Sequence, residues 1–201
     1  MASVHILVLA AGASSRMRGA DKLLQRVAGQ PLLRHVASIA KATGSEVWVT
    51  LPADAKARQT ALTGLGVRVV PVPDATLGMS RSLYHGITAI RAKAGPDDGV
   101  MILPADMPDF TAEALGTLIA RFQAEPNLIF RGATPDGQFG HPALFPGEIW
   151  PELAVVTGDQ GGKTVLERHK DKVRIVALPG RMALIDLDTP EDWAAWQAGD
   201  P

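Results

Sequence analysis

Cysteine is absent from the 201 residues, which removes disulfides, thiolate zinc sites and cysteine nucleophiles and suits a reducing compartment. Neither sign of charge predominates. Lys and Arg total 20 against 21 Asp and Glu, and the formal net charge of -1 gives no global field to hold nucleic acid or an anionic membrane. Any phosphate binding must therefore be local. No apolar run approaches the roughly 20 residues of a membrane-spanning helix. The run Val4–Ala11, followed by Gly12-Ala13 much like a small-residue cleavage site, is short and lacks a cationic start. It reads as a buried strand rather than a signal peptide, and the expected location is the cytoplasm. His5, His35, His85 and His169 show no i, i+4 pairing or clustering, which disfavours a zinc enzyme. Trp48, Trp150, Trp193 and Trp196 lack the interleaved Lys and Arg of a base-stacking platform, so they are expected in the core or an interface.

What is present is an alternation of strands and helices. Short apolar, β-branched runs at Val4–Ala11, Val47–Leu51, Val67–Val72 and Val100–Leu103 read as strands buried on both faces. Between them, Leu32, Leu33, Val36, Ile39 and Ala40 form a helical stripe after Pro31, as do Leu83, Ile87 and Ile90, and then Leu115, Leu118 and Ile119. Such alternation predicts a Rossmann-like, three-layer αβα sandwich with a mostly parallel sheet. After about Asn127 shorter strands (Leu128–Phe130, Ala143–Phe145, Val173–Leu178) and turns such as Thr134-Pro135-Asp136-Gly137 predict a mixed edge. Thr189-Pro190-Glu191-Asp192 has the form of a helix N-cap, Pro at the first helical position and acids in the first turn. Length alone favours one domain over residues 1–201, with an N-terminal half to about residue 110 and a C-terminal half after it.

The strongest local signal is the segment from Leu9 to Lys22, LAAGASSRMRGADK. Its small residues let backbone N–H groups approach an anion, while Arg16 and Lys22 can set two positive charges against a triphosphate at the carboxyl end of the first strand. The two common phosphate loops do not fit. A P-loop needs Gly where Met17 stands, and the dinucleotide fingerprint needs Gly at Ser14.

What remains, LAAGxSxRM followed by Lys22, resembles the MobA-like NTP-transferase family, most closely its MocA-like branch of molybdenum cofactor cytidylyltransferases. Gly78-Met79-Ser80-Arg81-Ser82-Leu83, Leu103-Pro104-Ala105-Asp106-Met107-Pro108, Gly140-His141-Pro142, Gly158–Lys163 and Asp186-Leu187-Asp188-Thr189-Pro190 follow in the family's order, so the resemblance spans nearly the whole chain. It implies the mixed-edge sheet of nucleotide-diphospho-sugar transferases and a Mg²⁺-dependent reaction. Arg16, Lys22 and Asp106 would then be catalytic, Asp106 and Asp186 would hold the metal with Asp188 close behind, and Ala10, Ala11, Gly12, Gly78, Ser80 and Ser82 would meet the nucleotide. Asp106 also follows an apolar strand, so its carboxylate should enter the same crevice as the loop, where Mg²⁺ commonly takes one or two carboxylates and phosphate oxygens. Asp186 is expected to end the last strand. His141 could face the acceptor, and Asp159 and Lys163 lie in a Gly-rich segment suited to an acceptor phosphate, although a turn and a solvated loop explain these nearly as well.

The expected reaction is in-line attack of an acceptor oxygen on the α-phosphorus of an NTP, with pyrophosphate leaving. The double Ala10-Ala11, where guanylyl-transferring members of the family tend to carry Gly second, favours CTP by resemblance. An acid at Asp186, where isoprenoid-pathway cytidylyltransferases place Lys, turns the expected acceptor toward molybdopterin. Transfer to a sugar or polyol phosphate, and a non-catalytic protein that delivers a cofactor to a molybdoenzyme, are the alternatives.

Overall fold

The computed structural model describes residues 2–158 and 161–199. Its strands are β1 (Val4–Leu9), β2 (Arg26–Val27), β3 (Gln30–Pro31), β4 (Glu46–Pro52), β5 (Arg68–Val72), β6 (Gly99–Pro104), β7 (Ile129–Ala133), β8 (Phe139–Pro146) and β9 (Val173–Ala177). Its α-helices are α1 (Leu32–Ala42), α2 (Lys56–Ala61), α3 (Met79–Arg91), α4 (Ala112–Ala124), α5 (Trp150–Ala154), α6 (Lys163–Arg168) and α7 (Pro190–Ala198). β2 and β3 form a separate two-stranded ribbon, and the other seven make one sheet in the order β5-β4-β1-β6-β8-β7-β9. Strands β5, β4, β1 and β6 run parallel; β8 is antiparallel to both β6 and β7, and β9 returns parallel to β7. The expected αβα sandwich with a mixed edge is therefore the observed one.

Alternation along the central strands divides the core between two faces. In β1, Ile6 and Val8 join the cluster covered by α1, α4 and α7, while Leu7 joins the cluster under α3 and α5. In β6, Met101 and Leu103 turn to the first face and Val100 and Ile102 to the second. Strands packed on both sides by helices need apolar residues at every position, which is why they appear as continuous runs in the sequence. β5 departs from that expectation. It lies at the sheet's edge, its residues are mostly exposed and Val69 is 40 % exposed, because only one neighbour covers it. All four tryptophans have structural positions: Trp48, Trp150 and Trp193 are buried, and Trp196 donates Nε1–H to Asp109 Oδ1 at 2.9 Å. Among the described residues no helix is long and apolar enough to cross a membrane.

From β1 the chain moves to β4 on one side and β5 beyond it, then returns to β6 on the other side. The connections leaving β1 and β6 thus diverge, and a crevice opens at their carboxyl ends. Asp106 comes off β6 into it, tied to β1 by Ala105 N–H donating to Leu9 O at 3.2 Å. The segment after β9 contains no strand. Residues 181–184 form turns and Asp186 lies in irregular backbone, so the expectation that Asp186 ends a strand is corrected. What holds this segment is a set of single bonds: Leu187 N–H to Asp106 O at 3.0 Å, and His141 N–H to Ala183 O at 2.8 Å. The Thr189–Asp192 capping box then starts α7 as expected, with Asp192 accepting from the backbone N–H of both Asp188 and Thr189.

Gly140 is needed where this segment crosses β8, since a Cβ there would lie 1.9 Å from Ala183 O. Gly140→Ala is expected to lower the free energy of unfolding by about 2 kcal/mol through overpacking. A urea denaturation midpoint equal to that of the wild type would show that the 181–184 turn yields freely.

Candidate active site

The Leu9–Lys22 loop is shaped from beneath by a residue of α2. Arg58 is 5 % exposed and each of its five N–H donors finds an acceptor. Nε and Nη2 grip Asp21 at 2.7 and 2.9 Å, Nη1 reaches Ala10 O at 2.7 Å and Gly12 O at 2.9 Å, and Nη2 also reaches Ser14 Oγ at 3.3 Å. A trans peptide opposes its N–H to its C=O. With the carbonyls of Ala10 and Gly12 drawn toward Arg58, the amides of Ala11 and Ala13 are aimed away from it, on the side where both residues line the crevice. Asp21 also caps the turn Lys22–Leu24, accepting from Leu23 N–H at 3.0 Å, so the same ion pair fixes where Lys22 begins. At the other end, Ala10 N–H is held by Thr50 of β4.

The crevice encloses about 880 Å³. Ala10, Ala11, Gly12 and Arg16 line one wall, Lys22, Asp106, Asp186 and Asp188 its floor, and Gly78 and Ser82 the start of α3. Lys22 Nζ stands between two carboxylates, 2.5 Å from Asp106 Oδ2 and 2.6 Å from Asp188 Oδ1, and Arg16 Nη2 binds the other oxygen of Asp188 at 2.7 Å. Burial alone would lower the pKa of Lys22, but Asp106 and Asp188 outweigh it and hold the ammonium charged above its usual range. Asp186 shifts the other way for a carboxylate. Burial, then repulsion from Asp106 and Asp188, pushes its pKa up.

A metal ion fits this donor set in a particular way. Among the described residues no three His, Cys, Asp or Glu converge as a ready cage. Two cations face three carboxylates, Lys22 and Arg16 against Asp106, Asp186 and Asp188, so the cluster carries one net negative charge and would by itself repel a polyphosphate. A divalent ion shared between one or two of these carboxylates and phosphate oxygens would reverse that sign and relieve Asp186, as suits Mg²⁺.

Gly78 precedes α3 with φ 102°, a conformation that favours glycine. Ser82 and Ser80 are both buried, yet only Ser82 lines the crevice; Ser80 N–H donates to Gly158 O at 3.3 Å and neither serine caps the helix. The opposite wall is made by β7 and β8 through Arg131, Phe139 and His141. His141 precedes a cis proline and faces the open crevice, but the protein around it limits its hydration. That, followed by the Arg131 guanidinium, lowers its pKa against an opposing pull from Asp106, so the ring is neutral at neutral pH. Lys163 is not brought to the site. It is the exposed first residue of α6, which buries Val165 on its inner side, and of the described residues in the Gly158–Lys163 segment only Gly162 reaches the crevice. Asp159 lies outside the described residues. Arg58 is the residue that motif reading passes over; its one sequence signal is its place three and four residues before Ala61 and Leu62, an inward position for a helix.

The model of the MobA-like NTP transferase domain matches residues 6–173. A molybdenum cofactor guanylyltransferase of Burkholderia vietnamiensis is 31% identical over 84% of this chain and 83% of its own. The crystal structure of a homolog of Mycobacterium tuberculosis Rv0371c from Mycobacterium sp. strain JC1 superposes with TM-score 0.83 at 29% identity, covering 98% of this chain and 96% of that one. Rv0371c of M. tuberculosis H37Rv in complex with manganese superposes with TM-score 0.76 at 26% identity over 96% of both chains.

If Arg58 holds the loop, Arg58→Met should destabilise the fold by about 3–5 kcal/mol, because Asp21 is left without its partner. Asp21→Asn combined with Arg58→Met should recover part of that loss. Urea unfolding of Arg58→Met, Asp21→Asn and the double variant tests this, and additive losses would show that the pair does not act together.

Proposed function

This chain belongs to the MobA-like NTP transferase family, and on that premise we propose that it transfers CMP from CTP to the phosphate of a molybdopterin-type acceptor, releasing pyrophosphate. The observation that carries this reading is the convergence of Lys22, Asp106 and Asp188 directly beside a loop whose amides Arg58 turns into the same crevice. Carbonyl-fixed amides and a charged lysine are the groups a triphosphate needs, while three carboxylates suit the metal that accompanies it.

The amides of Ala11 and Ala13 and the side chains of Lys22 and Arg16 bind the triphosphate and take up charge as it builds on the leaving pyrophosphate. Asp106, with Asp186 or Asp188, would hold Mg²⁺, which would supply Lewis-acid stabilisation of the charge on the phosphates. The manganese complex of Rv0371c supports a divalent ion in this family. Ser82 and the Ala10–Gly12 backbone contact the nucleoside, with Gly78 allowing the close turn and buried Ser80 steadying the start of α3. An acceptor phosphate is already ionised near neutral pH. No general base is required, and neutral His141 serves as a hydrogen-bonding group at the acceptor rather than as a proton acceptor.

Cytosine is favoured by resemblance alone, since Ala11, which lines the crevice, stands where guanylyl-transferring members of the family tend to carry Gly. The guanylyltransferase at 31% identity supports the competing reading, GTP as donor.

Two measurements test the proposal. Lys22→Ala and Asp106→Ala should each slow pyrophosphate release by about 10²-fold or more with the fold retained; near-normal release by either would remove that residue from the machinery, and nucleotide binding without release by the wild type would favour a carrier. With Mg²⁺, CTP should raise the melting temperature more than GTP, ATP or UTP does. A larger shift with GTP would move the assignment to guanylyl transfer.

A further inference from the structure

Arg131 is placed unlike the other sheltered arginines. Among the described residues, the arginines that are not exposed are Arg34, Arg58, Arg81 and Arg131. Arg58 and Arg81 face the carboxylates of Asp21 and Asp74, and Arg34 gives Nη1 to the carbonyls of Ala61 and Thr63. Arg131 uses only Nε, which donates to Gly140 O at 3.0 Å. Its two Nη groups have no acceptor among the described residues and are not sealed from solvent; they belong to the crevice wall. With neither a carboxylate nor a protein acceptor, those two groups are left to solvent or to an anion entering the crevice. Burial lowers its pKa accordingly, although a guanidinium stays protonated at any working pH.

The neighbours define what could compensate it. The guanidinium carbon lies 5.2 Å from the centre of the Phe139 ring, a cation–π contact, and Phe139 is itself 55 % exposed at the crevice. Arg131, Phe139 and His141 line the same crevice as Lys22 and Asp106, so an anion held by Arg131 would share that crevice with the Leu9–Lys22 loop.

We propose that Arg131 and Phe139 form a subsite for a phosphate monoester carried on a planar ring: the two Nη groups take two phosphate oxygens and the exposed Phe139 ring carries the planar body. The identification of this ligand as the acceptor rests on the nucleotidyl-transfer reading above. In that reaction the third phosphate oxygen attacks the α-phosphorus, the new P–O bond forms as the bond to the bridging oxygen breaks, and that oxygen leaves with pyrophosphate. Arg131 offsets the repulsion between the two reacting anions, a fork geometry that lysine cannot copy.

The test uses the full chain and needs no turnover. Inorganic phosphate and phenyl phosphate are titrated calorimetrically into wild type, Arg131→Gln, Arg131→Lys and Phe139→Ala, with Mg²⁺ and saturating α,β-methylene CTP to occupy the Leu9–Lys22 loop. Wild type should bind both, phenyl phosphate more tightly. Arg131→Gln should weaken both by about tenfold or more, Arg131→Lys should restore part of the loss, and Phe139→Ala should abolish only the preference for phenyl phosphate. The affinity of Arg131→Gln for the nucleotide analogue should equal that of wild type, which separates a subsite from a general loss of structure. Equal phosphate binding by wild type and Arg131→Gln, or no binding by wild type, would overturn the subsite. If neither this analogue nor α,β-methylene GTP binds, the nucleotidyl-transfer reading fails, and the same titrations without nucleotide still decide whether Arg131 and Phe139 hold a phosphate monoester.

Discussion

The site depends first on a single buried guanidinium. Arg58 has five N–H donors, and the Leu9–Lys22 segment presents five matching acceptors: both oxygens of Asp21, the carbonyls of Ala10 and Gly12, and the Ser14 hydroxyl. A loop of small residues has little apolar surface of its own to fix its path, and its conformational entropy is correspondingly large. The charge-assisted bonds to Arg58 replace that missing packing. Because peptide groups are planar, fixing two carbonyls also fixes the amides on their far sides, and an interaction buried beneath the loop thereby decides what the loop shows to a ligand.

The topology of the sheet supplies the second requirement, that cations and acids from distant parts of the chain meet. Lys22 follows β1, Asp106 follows β6 and Asp188 precedes α7, yet Lys22 Nζ bonds to both acids. β1 and β6 are neighbours whose connections leave in opposite directions, so the first two converge without any special loop. Asp188 is brought in differently, by the Leu187–Asp106 backbone bond and the capping box of α7. The resulting cluster is charge-rich but nearly compensated, which lets a buried lysine remain an ammonium at a point where water is scarce.

Most of the fold was legible because buried strands and helices leave periodic apolar patterns. The central strands, the α1, α3 and α4 stripes and the α7 cap all stand where the sequence indicated. Two structural expectations failed for identifiable reasons. Val67–Val72 has the composition of a buried strand, but neighbours along the sheet, which no local pattern encodes, left β5 at the edge. Asp186 is expected to end a strand, yet the segment around it pairs through isolated bonds and packs Ala183 and Leu187 into the core without joining the sheet. At the site, Lys22 and Asp106 were visible as members of motifs, whereas Arg58 sits in a short polar helix and was not. An ion pair 37 residues apart in sequence has no local periodicity to betray it.

The charge of the crevice is organised by side rather than by total. A chain with net charge -1 cannot attract a polyphosphate from a distance, so affinity has to come from desolvated, oriented groups. Beside the Leu9–Lys22 loop the cations are already balanced by Asp106, Asp186 and Asp188, an arrangement that would become attractive to phosphate if a divalent ion entered with it. On the other side Arg131 stands without a carboxylate and is ready for an anion as it is. Two anions must approach within bonding distance for nucleotidyl transfer to occur, and their repulsion is the main electrostatic obstacle. In the nucleotidyl transfer proposed above, a divalent ion among the carboxylates and Arg131 on the wall it shares with His141 would each offset part of that repulsion.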